Sequence, residues 1–299
     1  MFRYILQAGG MNLPAPRETA STGTGPLPDH GGKLENGIRS HPRRLSWFRI
    51  GVVCLVLLGV FLPGTADAAW YNPGWAYRQQ LTILSTVTTG TLTNFPYLVR
   101  ITDPSNAVFA NAQASGNDIL FTSADGTTKL NHEIERYDAT AKVLIAWVQV
   151  PSISSTVNTD IYMYYGNGSA PNQQNVNGTW DSDFVMVNHL HETGATQRDS
   201  TANNNTGTPM NGVTQGATGK VDGADSFDGV DDYVTAPDSA SLQVISMTLE
   251  AWVYMPGTLP VSGFHRILNH GANNSANWYQ LSYDATGLTT PNHFHFRWS

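Results

Sequence analysis

The sequence predicts an all-β protein made of two successive β-units. Three observations carry that expectation. Only 13% of its 299 residues are charged, 40% are hydrophobic and 28 are Gly; low charge with many β-formers and turn residues favours strands over helices. Short runs that alternate apolar and polar residues recur along the chain, separated by Gly, Asn, Asp and Pro. No stretch carries the i, i+3, i+4 spacing of a long amphipathic helix.

The first 68 residues read as a leader. Residues 1–42 are polar, rich in Pro and Gly and without period, which predicts disorder or an upstream start codon. Arg43 and Arg44 then precede an apolar run at residues 50–62. That run has the length of a signal-peptide apolar region and is short for a membrane span. Ala66-Asp67-Ala68 supplies a small-x-small cleavage site, so the expected mature chain begins at Ala69 and is secreted or held at the cell surface. The alternative is an uncleaved anchor through residues 50–62. The single cysteine, Cys54, falls inside this run, so a cleaved chain would carry no thiol, disulfide or Cys-ligated metal.

The formal net charge is −7, and residues 1–68 hold seven Lys/Arg against four Asp/Glu, leaving about −10 on the remainder. An acidic surface argues against nucleic acid and against electrostatic docking on anionic lipid, and it suits divalent cations or neutral ligands.

Residues 69–170 are expected to form a β-sandwich. Trp75-Ala76-Tyr77-Arg78-Gln79-Gln80-Leu81-Thr82-Ile83 alternates as a strand. Further strands are expected at Phe95–Ile101, with Pro96 near the start, at Asp118–Thr122 and at His132–Tyr137. The run Val143–Val150, ending at Pro151, and Thr159–Tyr165 complete the unit. The Trp75-x-Tyr77-Arg78 opening, Asn94-Phe95-Pro96, Gly116-Asn117-Asp118-Ile119, Ala124-Asp125-Gly126-Thr127, Glu133-Ile134-Glu135 and Tyr164-Tyr165-Gly166-Asn167 together resemble the domain-of-unknown-function 2341 family. The resemblance implies a place beside laminin-G-like domains in surface proteins, or beside a proton-channel transport module.

Residues 171–182, rich in Asn and Gln, read as a linker, and residues 183–299 as the second unit. Its centre is Ser226-Phe227-Asp228-Gly229-Val230-Asp231-Asp232-Tyr233-Val234: strand, acidic turn, strand. Pro237-Asp238-Ser239 and the strand Met247–Tyr254, with Ala251-Trp252-Val253, follow. This order resembles the laminin-G-like, concanavalin A-like jelly-roll domain. The resemblance implies a jelly roll of about eight or more strands; the six or seven legible here make it incomplete at its C-terminal end.

Several constellations carry candidate chemistry. Asp222, Asp225, Asp228, Asp231 and Asp232 form an acidic set, of which Asp228, Asp231 and Asp232 are the named candidates for Ca²⁺, a cation that takes six to eight oxygens; Asp-Gly turns are also acidic for conformational reasons alone. Among Trp252, Tyr254, Trp278, Tyr279 and Trp298, flat faces for stacking a sugar, Trp278 and Tyr279 follow a polar loop and are expected on a rim. His189 with His191, and His293 with His295, share a strand face as metal pairs would, with structural packing as the other reading. Glu133-Ile134-Glu135-Arg136-Tyr137-Asp138 superficially resembles the Glu-x-Asp-x-x-Glu strand of laminarinase-type glycosidases; the plainer reading is the solvent face of a strand.

The function implied by the resemblances is non-catalytic: an exported protein that binds carbohydrate or an extracellular protein, touching a membrane only through an uncleaved leader. The alternatives are the extracytoplasmic sensor region of a proton-channel-type transport protein and an accessory domain of a glycoside hydrolase.

Overall fold

The computed structural model describes residues 4–8, 68–194, 196–255, 263–272, 277–285 and 293–299, all within one compact unit. Strand dominates, and every strand pairing is antiparallel. The chain is all-β, as its composition predicts. The apolar run 50–62 and the expected cleavage residues Ala66 and Asp67 lie outside the described residues. Among the described residues no helix is long and apolar enough to cross a membrane.

Strand β1 (Tyr4–Ala8) lies within the stretch expected to be disordered, so that expectation is corrected for these five residues. The first sandwich follows: β2 (Tyr77–Ile83), β3 (Leu92–Ile101), β4 (Leu120–Ser123), β5 (Lys129–Leu130), β6 (His132–Asp138), β7 (Val143–Ile153) and β8 (Thr159–Tyr165). One sheet has the order β2-β8-β4-β5 and the other β3-β7-β6. Strand periodicity turns Ile83, Phe121 and Met163 from one sheet and Val99, Leu144 and Val148 from the other into a shared core.

Two prolines sit deeper in the strands than expected. Pro96 is inside β3, which is an edge strand and so tolerates a missing donor. β7 runs on past Pro151 to Ile153, in a stretch that only β3 flanks. There Asn94, opposite Pro151, drops out of the ladder with φ 49°.

The motifs of the first sandwich meet at its closing corner. Asp118 accepts the N–H groups of Gly166 (2.7 Å) and Asn167 (2.9 Å) through one oxygen, and that of Gln113 (2.8 Å) through the other. The Trp75 indole donates to the Asp118 carbonyl at 2.6 Å. Arg78 donates to the carbonyls of Ala68 (2.8 Å) and Ala69 (3.1 Å), pinning the chain entry onto the sheet. Gly126, at φ +77°, faces the Ala69 carbonyl so closely that a Cβ there would collide with it.

The stretch expected to be a linker is packed instead. Its short helix α1 (Val176–Thr179) leads into Trp180, and both Thr179 and Trp180 are buried. Its polar side chains and backbone satisfy the open edge of β6: Gln174 accepts the Ile134 N–H at 2.6 Å, and the Asn175 N–H donates to the His132 carbonyl at 3.0 Å. The outer face of sheet β3-β7-β6, presenting Leu98 and Trp147, is covered by Trp180, Phe184 and Val187. Burial on both faces explains why β7 reads as an almost unbroken apolar run.

The second part contains β9 (Phe184–Asn188), β10 (Thr208–Met210), β11 (Thr214–Thr218), β12 (Gly223–Ser226), β13 (Tyr233–Thr235), β14 (Met247–Ala251), β15 (Phe264–His270), β16 (Tyr279–Asp284) and β17 (His293–Trp298). Its sheets have the orders β14-β1-β9, β15-β16-β17, β10-β13 and β11-β12. Val185, Leu242 and Tyr279 form its small core.

Candidate functional site

The seam between the two parts is polar at its centre. β6 carries a bulge: Ile134 opposes Ala146 and Arg136 opposes Ile145, so Glu135 is the extra residue. Glu133 and Glu135 are both buried, which corrects the solvent-face reading. Ser200 donates to Glu133 at 2.6 Å and the Trp180 indole at 2.7 Å; the Trp147 indole donates to Glu135 at 2.7 Å. His189 stands between the two acids, its Nε2 3.1 Å from Glu133 and its Nδ1 3.3 Å from Glu135. Burial alone pushes the Glu133 pKa up, but the His189 charge and the hydrogen bonds from His189, Ser200 and Trp180 outweigh it and hold Glu133 at about 2. Leu190, directly after His189, is buried with φ 55°, a left-handed backbone costly for a side chain of that size.

Each imidazole nitrogen of His189 has a carboxylate oxygen to donate to, so neither is left for a metal ion, and His191 sits alongside with ring centroids 6.0 Å apart. The two carboxylates are bonded to two indoles, a hydroxyl and an imidazole.

The acidic turn folds as turn chemistry requires. Gly229 supplies φ +78°. Asp228 accepts the N–H groups of Val230 (2.8 Å) and Asp231 (3.3 Å), and Asp232 accepts that of Asp228 (3.0 Å). These bonds hold the Asp228 pKa below the usual carboxylate range, led by the one from Val230. The flanking strands do not form a hairpin: β12 pairs with β11 and β13 with β10. Among the described residues, Asp228, Asp231 and Asp232 are the group of potential metal ligands that comes together, with one oxygen from each within 4.8 Å of the others.

The remaining acids of that set are elsewhere. Asp222 accepts from Arg136 at 2.9 Å. Asp225 is buried, with the Gln197 amide donating to both its oxygens at 2.9 Å. Burial, with Glu192 nearby, pushes the Asp225 pKa up to about 7.

The turn forms one wall of a groove of about 1250 Å³. Tyr233, Tyr254, His265, Arg266 and Asn269 also line it. Tyr233 and Tyr254 are 47% and 66% exposed, so each offers a free ring face. The aromatics expected on the rim are placed differently. Trp278 and Tyr279 are 7% and 1% exposed. Tyr279 stacks on His270 at 4.7 Å and donates to the Leu242 carbonyl at 3.2 Å, so only part of it reaches the groove floor. Trp278 donates to Asn269 at 3.3 Å. Trp298, with Phe294 and Phe296, is exposed on β17, where His295 lies 3.6 Å from Asp284. Tyr233, His265 and Arg266 escaped sequence reasoning because the loops that bring them together leave no local pattern.

The family described as Domain of unknown function (DUF2341) matches residues 115–204. That span crosses the expected linker and contains Glu133, Glu135, Trp147, Trp180, His189 and Ser200, the whole seam network. No curated protein and no solved structure matches the chain.

Proposed function

We propose that the chain is a non-catalytic, exported carbohydrate-binding protein, whose second part is a laminin-G-like jelly roll that takes its ligand in the groove beside the acidic turn. One observation supports this reading above the others: the exposed rings of Tyr233 and Tyr254 and the clustered oxygens of Asp228, Asp231 and Asp232 line one groove. Aromatic faces stack on the C–H face of a pyranose. Three carboxylates supply part of a Ca²⁺ shell, and sugar hydroxyls are hard oxygens that can complete it. Arg266 and Asn269 add hydrogen-bond donors across the groove.

The test is a glycan array probed with the full-length chain in millimolar calcium and in EDTA, followed by titration of the best glycan. Tyr254→Ala should weaken binding by about tenfold, the loss of roughly 1.4 kcal/mol. EDTA should weaken it as well. An array without a ligand in either buffer, or a ligand indifferent to Tyr254→Ala, would remove this reading.

A further inference from the structure

Among the described residues, strands β9 and β14 pair with β1 and with no other strand. Tyr4, Ile5, Leu6, Gln7 and Ala8 oppose Ala251, Glu250, Leu249, Thr248 and Met247 on one side. On the other side Tyr4, Ile5 and Leu6 oppose Asn188, Val187 and Met186, and after a register shift Gln7 meets Phe184. Since β1 is antiparallel to both, β9 and β14 run parallel to each other with a slot one strand wide between them. Adjacent strands lie about 4.8 Å apart, so the two walls are roughly 9.6 Å apart and cannot bond each other.

The walls are held by packing that does not involve main-chain pairing to β1. Val185 is buried against Leu242 and Tyr279, with Met186, Met247 and Leu249 packed on the same cluster. Phe184 and Val187 are anchored on Trp147 and Trp180. The chain that connects β1 to the rest, residues 9–67, contains the apolar run and most of the expected cleavage site. Among the described residues, β1 is the strand that joins β9 to β14.

We propose that the slot between β9 and β14 is a strand-acceptor site. Tyr4–Ala8 occupies it through main-chain pairing, stays there when the connecting chain is cut, and exchanges with the same segment supplied in trans. Addition of an extended peptide to a sheet draws its affinity from main-chain hydrogen bonds. A segment bonded on both sides leaves no open edge in the slot, whereas an empty slot exposes two. The site asks for about five residues without Pro, running antiparallel to both walls.

The experiment uses the full-length chain with a protease recognition sequence placed at residues 30–33, cut and passed over gel filtration. The N-terminal fragment should co-elute in equimolar amount, and excess isotope-labelled peptide of residues 1–18 should replace it, read by mass spectrometry. A fragment that elutes alone would overturn the proposal, whether the remainder melts unchanged or aggregates. A strand-exchanged dimer before cutting would overturn the assignment of the occupant to the same molecule. Leu6→Pro gives a second reading, because it deletes an N–H inside the ladder. The cut variant should release its fragment, and retention would show that pairing is not what holds it.

Discussion

Glu133 and His189, 56 residues apart in the chain, meet at 3.1 Å in the buried seam between the two parts of the molecule. Neither has water to fall back on, so the pair must be matched. Removing one partner of a buried ion pair costs about 3–5 kcal/mol, because the other charge is left uncompensated.

Glu133→Gln keeps an acceptor for Trp180 and deletes the charge facing His189. Urea unfolding at pH 7 should show a loss of about 3 kcal/mol. The folded-state pKa of about 2 lies below the ordinary 4.5. The folded form therefore binds the proton more weakly, and the stability from Glu133 is present above pH 4.5 and lost as pH falls towards 2. The gap between wild type and variant should narrow across that window. Equal stability at pH 7 would mean that the pair contributes nothing.

Asp225 has the opposite sign. Its folded pKa is raised from 3.8 to about 7, so the folded state holds the proton more tightly than the unfolded chain does. Stability is then highest below pH 4 and falls as pH rises to 7, beyond which the loss is complete. Asp225→Asn keeps an acceptor for the Gln197 amide and cannot ionise. Its melting temperature should exceed that of wild type at pH 8, with the advantage shrinking towards pH 4. A constant difference over that range would show that Asp225 does not titrate there.

Much of this was legible beforehand, and the misses share a cause. Strands such as Tyr77–Ile83 and Thr159–Tyr165 announce themselves because alternation is local. The Asp228-Gly229 turn does too, since its φ and its Asx bonds depend on neighbours two or three residues away. Charge normally marks a surface, so Glu133 and Glu135 look solvent-facing in the sequence; only partners far along the chain, His189 and Ser200, make them buried. The polar loop before Trp278 and Tyr279 points to a rim, yet Trp278 borders and Tyr279 opens β16, the middle strand of its sheet, and both are buried. The pairing of Tyr4–Ala8 with Met247–Ala251 spans most of the chain and leaves no pattern in either segment.

Calcium, if held by Asp228, Asp231 and Asp232, binds only the folded chain. At a hundredfold excess over Kd it would stabilise by about 2.7 kcal/mol. At about 2–4 °C per kcal/mol for a chain of 150–250 residues, that corresponds to a rise of roughly 5–11 °C in melting temperature. Asp231→Asn and Asp232→Asn should abolish the rise and remain folded in EDTA. Identical midpoints for wild type in calcium and EDTA would leave the three acids as turn formers.

Gly126→Ala should destabilise the first sandwich. It forces a side chain into the left-handed region, costing about 1–2 kcal/mol, and drives a Cβ into the Ala69 carbonyl. Thermal unfolding should fall by several degrees, and the Arg78 contacts to Ala68 and Ala69 should loosen, seen as faster amide exchange around those residues. An unchanged melt would mean that the entry segment does not dock as described.

The bulged strand β6 also sets an order on biosynthesis. A ribosome adds roughly 5–20 residues per second, so His189 emerges about 3–11 s after Glu133. Through that interval the outer face of the nascent sheet waits with Leu98 and Trp147 exposed beside two carboxylates that have no imidazole to meet. Charged carboxylates beside an apolar patch oppose its burial against a second chain carrying the same face. The residues that lock the seam in the folded chain are thus of the charged kind that opposes association of apolar faces in half-made chains.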